Sequence, residues 1–335
     1  MFEKWLALPL LFLVPAAASG IYGLVKGGKA VADNSKAKDI NESADRILRD
    51  AKELLDDQRA NTNKILEDYG SRKLRAFDGV IKSFIDNFGK LKNVELSNSP
   101  ELDKLQSGTS PIESINLLTK DYNMIKSSGL GIASGVTGGA AVAFGAYNGT
   151  MLLASAGTGT AISTLSGAAA TNATLAWLGG GTLASGGAGI AGGMMVLGGL
   201  VAGPALAITG FIMGNKASEA LSNAKSNKEK ALSVYEESET IAEGLKAIDS
   251  VATYANNIFS KLSSKLRYAV KELEKVISST GTDYSKYNKQ EKEIVFKSVK
   301  FAQLVQAMIN TPIMDENGSL ILTSKERFEE IAQSL

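Results

Sequence analysis

Residues 127–150, SSGLGIASGVTGGAAVAFGAYNGT, and 192–215, GGMMVLGGLVAGPALAITGFIMGN, open and close the tract whose reading decides the fold. Between Lys126 and Lys216 lie 89 residues without one charged side chain, dense in glycine, alanine and small aliphatic residues. A helix needs about 20 residues to cross the hydrocarbon layer, so the tract has room for two to four membrane segments. The candidates are 127–147, 151–170, 172–189 and 190–213.

Glycine costs about 1 kcal/mol relative to alanine in a water-exposed helix, so this composition makes poor isolated soluble helices. In hydrocarbon the backbone has no water to bond, and helix formation is forced despite that penalty. Glycines recur four residues apart: Gly131 with Gly135, Gly135 with Gly139, Gly145 with Gly149, Gly189 with Gly193, Gly199 with Gly203, and Gly210 with Gly214. That spacing puts both members of a pair on one helix face, where a second backbone can come close. These are the expected helix-packing residues. Thr158, Thr160, Ser163, Thr164, Ser166, Thr171, Asn172 and Thr174 make the middle polar, which suits triggered insertion as well as a permanent span, a buried soluble core being the third alternative.

Working outward, residues 5–25, WLALPLLFLVPAAASGIYGLV, form an uncharged stretch of spanning length. Lys4, the apolar run 5–14 and Ala16–Ala18 also fit a cleavable secretory signal. Glu3 beside Lys4, and Gly20, Gly23, Gly27 and Gly28 continuing the small-residue pattern, favour an uncleaved anchor over 1–28. The flanks are basic, with Lys26, Lys29, Lys36 and Lys38 after the anchor and Lys120, Lys126, Lys216, Lys225, Lys228 and Lys230 around the tract. The positive-inside bias puts all of them on the cytoplasmic side. Trp5, Tyr22, Tyr147 and Trp177 fall near segment ends, where amphipathic rings favour the interface.

Charged, heptad-patterned helix surrounds the tract. In the arm 29–126, Ile40, Ala44, Ile47, Ala51 and Leu54, then Leu74, Phe77, Ile81, Phe84, Phe88 and Leu91, alternate at three and four residues, the seam of one helix against another. Gln58, Asn61 and Thr62 interrupt the seam, Gly70 suggests a bend, and 95–111 reads as a loop before a helix at about 112–126. In 216–280 the seam runs unbroken from Ile241 to Val276, a rod of about 50 Å at 1.5 Å per residue. Gly281 should stop it. The tail 281–335 carries a helix over 288–309, a turn at Asp315–Gly318 and a last helix with capping-box spacing at Thr323 and Glu326. An even number of crossings returns the chain to its starting side, so the two arms are expected to pair as an antiparallel hairpin.

The chain has no cysteine and no histidine, and its formal charge is +1. Thiol and imidazole chemistry and the usual zinc ligand sets are thereby removed, and no general pull toward nucleic acid exists. Gly187-Ala-Gly-Ile-Ala-Gly192 matches G-x-G-x-x-G but follows no strand pattern and precedes no acidic partner. Gly157-Thr-Gly-Thr160 lacks the lysine of a phosphate loop. No catalytic, cofactor-binding or metal residues are expected, and the chain does not read as an enzyme.

The run AGTGTAISTLSGAAATNATLAWLGGG at 156–181, with GGAGIAGG at 186–193 and VAGPALA at 201–207, resembles a widespread group of uncharacterised bacterial glycine-zipper membrane proteins, some labelled chemotaxis proteins. The resemblance covers residues 1 to about 225 and implies membrane association without an activity. Two helical arms around an apolar centre also resemble the α-helical pore-forming toxins of the haemolysin type, and the tract is similar in texture to the interferon-inducible glycine-rich membrane family. The expected fold is therefore all-α: a glycine-rich apolar hairpin or bundle of two to four membrane segments over 127–215, flanked by coiled-coil-like helices. The expected setting is a bacterial inner membrane with the arms cytoplasmic, the lipid bilayer and further copies of the chain as partners, and no nucleic acid. Two functions follow: self-association through glycine zippers and arms that perturbs or permeabilises the membrane, or a membrane-anchored scaffold recruiting a cytoplasmic protein.

Overall fold

The computed structural model describes residues 29–96, 111–127, 139–147, 221–315 and 318–335. Every regular element there is helical: α1 (Lys29–Ala76), a π-helical turn (Phe77–Ile81), α2 (Lys82–Phe88), α3 (Pro111–Ser127), α4 (Gly139–Ala146), α5 (Leu221–Thr280), a 3-10 turn (Tyr284–Lys286), α6 (Lys289–Asn310) and α7 (Thr323–Gln333). Among the described residues no helix is long and apolar enough to cross a membrane. The anchor stretch 5–25 and the candidate segments 151–170, 172–189 and 190–213 lie outside them.

The heptad seams of the two arms do meet, but in parallel. Asn227 Nδ2 donates to Asn41 Oδ1 at 3.2 Å, Gln58 Nε2 and Asn61 Nδ2 donate to Asp249 Oδ2 at 2.8 and 2.6 Å, and Arg72 Nε donates to Asn256 Oδ1 at 2.7 Å. Lower down, Asn87 Nδ2 donates to Glu274 Oε1 at 3.3 Å and Asn93 Nδ2 to Asp283 Oδ1 at 3.0 Å. The bonded residues stay 184 to 191 positions apart along the whole length, which only two helices running the same way can do. The antiparallel hairpin is thus replaced by a parallel pair. Gln58 and Asn61, which break the hydrophobic pattern, supply an interhelical polar layer on Asp249, with Thr62 buried beside them.

α5, at 60 residues, spans about 90 Å; the seam visible in the sequence is its lower part. It stops at Thr280, where Gly281 takes φ +95, a left-handed conformation that costs glycine little. Asn288 caps α6 in a capping box with Glu291, and α6 folds back antiparallel on α5: Thr280 meets Glu291, and Lys265 sits 5.7 Å over the Phe301 ring. α3 returns along α2, with Ile112 and Ile115 facing Phe88 and Leu91. In the last helix the capping box does not form: Leu322 occupies the N-cap with no side-chain bond. Ser324 Oγ instead donates to the Pro312 carbonyl at 2.6 Å, tying α7 to the segment after α6. Asp315 does make its turn, accepting from Gly318 N at 3.0 Å, and Gly318 has φ +79.

Two regions result. The upper stalk holds α1 and α5 around a thin core of Ala44, Leu48, Ala51 and Ala231. In the lower head, α2, α3, α4, α6 and α7 join them around one large core that includes Phe77, Phe84, Phe259, Leu304 and Phe328.

Candidate functional site

The glycine-rich tract meets the bundle at α4. Of the expected packing glycines, Gly139 and Gly145 fall among the described residues, both in α4; Gly131, Gly135, Gly149, Gly189, Gly193, Gly199, Gly203, Gly210 and Gly214 lie outside them. Gly145 crosses α1 at Gly70. A Cβ on Gly145 would stand 2.0 Å from the Leu66 carbonyl oxygen, and one on Gly70 would stand 1.9 Å from the Ala141 oxygen and 2.6 Å from Gly145 N. Backbone lies on backbone, and no side chain fits between. Gly70, read in the sequence as a bend, is half of a small-residue crossing between α1 and α4.

Other contacts secure the crossing. Phe144 packs edge-on against Phe77 of the π turn, centroids 6.3 Å apart at 82°. The last carbonyls of any helix lack intrahelical donors, and here they find them: Ala146 O accepts from Ile313 N at 2.8 Å and Met314 N at 3.0 Å, while Phe144 O accepts from Lys73 Nζ at 3.2 Å. α4 is thereby held by α1 on one side and by the segment after α6 on the other.

Lys73 is fully buried, at 0 % exposure. Its Nζ lies 4.2 Å from the centroid of the Tyr69 ring, and Tyr69 is fixed by its hydroxyl donating to Met308 O at 3.3 Å and by edge packing on Phe259. A cation at a helix C-terminus is favoured by the helix dipole, yet among the described residues no carboxylate pairs with it, and desolvation lowers its pKa from 10.5 to about 7. Nearby, Asp121 of α3 is buried beneath α6, with Gln306 Nε2 at 3.5 Å, and burial raises its carboxyl to about 6. Sequence reading missed Lys73 and Asp121 because nothing in a charged helical stripe marks which member turns inward. Both fall on the inward face once the seam of each helix is fixed by its neighbours.

The opposite end of the stalk is the second feature. α1 begins at Lys29 just after the uncharged stretch 5–25, and α5 begins at Leu221 just after the tract. The parallel register sets these beginnings side by side, as the Asn41–Asn227 bond shows. Lys36, Lys38, Lys225, Lys228 and Lys230 are all exposed there, with Asp39, Glu42 and Glu229 exposed among them, so lysines nearly two hundred residues apart gather at one end. Gly145 meanwhile packs at Gly70, about 35 residues further along α1 than the level of Leu221, a separation of about 50 Å at 1.5 Å per residue. The described part of the tract thus packs low on the bundle, while α5 begins at the tip.

No protein-family model, no curated protein and no solved structure matches the chain. The arrangement itself defines the class: an all-α stalk and head into which the start of a glycine-rich apolar tract is folded.

Proposed function

We propose that this chain is a membrane-resident helical protein that self-associates through its glycine-rich tract and helical arms and thereby perturbs or permeabilises the bilayer. The observation that carries the reading is the parallel pairing of α1 and α5. Each is preceded in the sequence by a long uncharged stretch, and parallel pairing sets the first residues of the two helices at one end of the stalk, which is compatible with two segments entering a common bilayer. The exposed lysines at that end suit the cytoplasmic, anionic face of a membrane. The Gly70–Gly145 crossing supports the rest, since it is an instance of tract glycine used for close helix contact. In this reading the head keeps the beginning of the tract folded, and 148–215 supplies the membrane segments.

Alkaline carbonate extraction of membranes from expressing cells tests residence: the chain stays in the pellet, whereas release into the supernatant contradicts it. Dye release from liposomes tests the action. Gly199→Leu and Gly203→Leu, which hold helices apart, should abolish release while leaving the chain in the membrane.

The scaffold reading finds support in Tyr268 and Leu322, 68 % and 55 % exposed on the head. It expects no dye release from the wild type and a partner lost on Tyr268→Ser.

A further inference from the structure

Between α1 and α5, where stalk becomes head, lies a cavity of about 210 Å³ lined by Arg72, Arg75, Arg267, Ser260, Ser263 and Ser264. Three arginines and three serines line one space, and no carboxylate lines it. Among the described residues no ion pair neutralises any of the three arginines. Arg72 is held in place, its Nε donating to Asn256 Oδ1 at 2.7 Å and its Nη1 to Ser260 Oγ at 3.4 Å. Ser264 Oγ donates to the Ser260 carbonyl at 2.9 Å, leaving its lone pairs and the remaining guanidinium N–H groups for other partners. Gathered like charges repel one another, and that cost vanishes when an anion with several acceptor oxygens occupies the space.

We propose that this cavity is a binding site for a phosphate group, held by Arg72, Arg75 and Arg267. Phosphate fits the chemistry because its oxygens accept bidentate guanidinium bonds from several sides at once. The inference is independent of the membrane reading: the residues belong to α1 and α5, and the site keeps its meaning whether or not the tract enters lipid. A free phosphate compound and a phosphorylated lipid headgroup present the same oxygens, and the experiment separates them.

The full-length chain in neutral detergent is titrated with inorganic phosphate, followed by calorimetry and by phosphorus NMR line broadening. In parallel, its binding is measured to vesicles of phosphatidylcholine alone and of phosphatidylcholine with phosphatidylinositol phosphate. Arg75→Gln and Arg267→Gln, both at exposed positions, should each weaken binding about tenfold, the worth of one charged hydrogen-bonded contact. The Lys versions keep the charge, lose the bidentate geometry and should fall between. Lys297→Gln, a surface charge elsewhere, should leave it unchanged. Saturable phosphate binding lost in the Gln variants supports the site with a soluble ligand. Binding seen only on phosphoinositide vesicles and lost in the same variants supports it with a lipid ligand. Absence of saturation in both arms, or equal binding by the Arg75→Gln/Arg267→Gln double variant with its helical circular dichroism intact, overturns the proposal.

Discussion

Replacing Lys73 by methionine should make the protein more stable, although it deletes a hydrogen bond. The reasoning rests on the amine's burial. Its pKa falls from 10.5 to about 7 on folding, and one unit is worth about 1.4 kcal/mol, so holding this group in the fold costs on the order of 4–5 kcal/mol at pH 7. Against that stand the hydrogen bond to Phe144 O at 3.2 Å and the contact with the Tyr69 ring, together about 1–2 kcal/mol. Methionine fills similar space and needs no deprotonation, so the net gain is about 2–4 kcal/mol, within the range seen when buried charge is exchanged for apolar volume. The pH dependence follows with its sign. The unfolded lysine keeps its proton to about pH 10.5 and the folded one loses it near 7, so the unfolded state binds more protons between these values and stability rises with pH. This group alone adds about 2 kcal/mol from pH 7 to about pH 9. Urea unfolding followed by circular dichroism, with amide exchange at residues 139–147 as the local probe, should show that rise in the wild type and its loss in Lys73→Met. A destabilised variant whose pH dependence equals the wild type's would refute the argument.

Gly145→Val forces a side chain against the Leu66 carbonyl; overpacking should cost about 1–3 kcal/mol and speed amide exchange across 139–147 while leaving the stalk helical. Asp121 has its folded pKa raised from 3.8 to about 6, so the stability it confers is complete below about pH 4 and is lost as pH rises through about 6; Asp121→Asn should flatten that fall and gain about 1–2 kcal/mol at neutral pH. Asp249→Ala strands the amides of Gln58 and Asn61 and should cost about 1–3 kcal/mol by urea unfolding.

The helical arms were legible because a seam at three- and four-residue spacing has one physical meaning: Ile241 to Val276 lie in α5, Gly281 ends it, and the helix expected over 288–309 is α6; the Asn288–Glu291 capping box that begins it was not read. The direction of pairing was not legible. A heptad seam is the same stripe read either way, and the argument for antiparallel arms assumed that the tract begins and ends at one level. The structure separates those points by about 50 Å, because α4 docks beside Gly70 while α5 starts at the tip. Gly70 illustrates the same limit: a lone glycine in a charged helix gives no hint of whether it bends the helix or admits another backbone. Thr323 and Glu326 had the right spacing for a capping box, yet Ser324 turns to Pro312 and the box stays open. The arginine and serine cavity draws residues from helices nearly two hundred positions apart, so only the parallel register assembles it.

That register is most directly tested with engineered cysteines, since the chain has none of its own. In intact membranes, Asn41→Cys with Asn227→Cys should cross-link rapidly on mild oxidation or with a short bis-thiol reagent, because their side chains touch. Asn41→Cys with Lys265→Cys, neighbours if the arms ran antiparallel through the Asp249 layer, should not. The opposite pattern would separate the two apolar stretches to different ends of the stalk and remove the basis of the membrane reading.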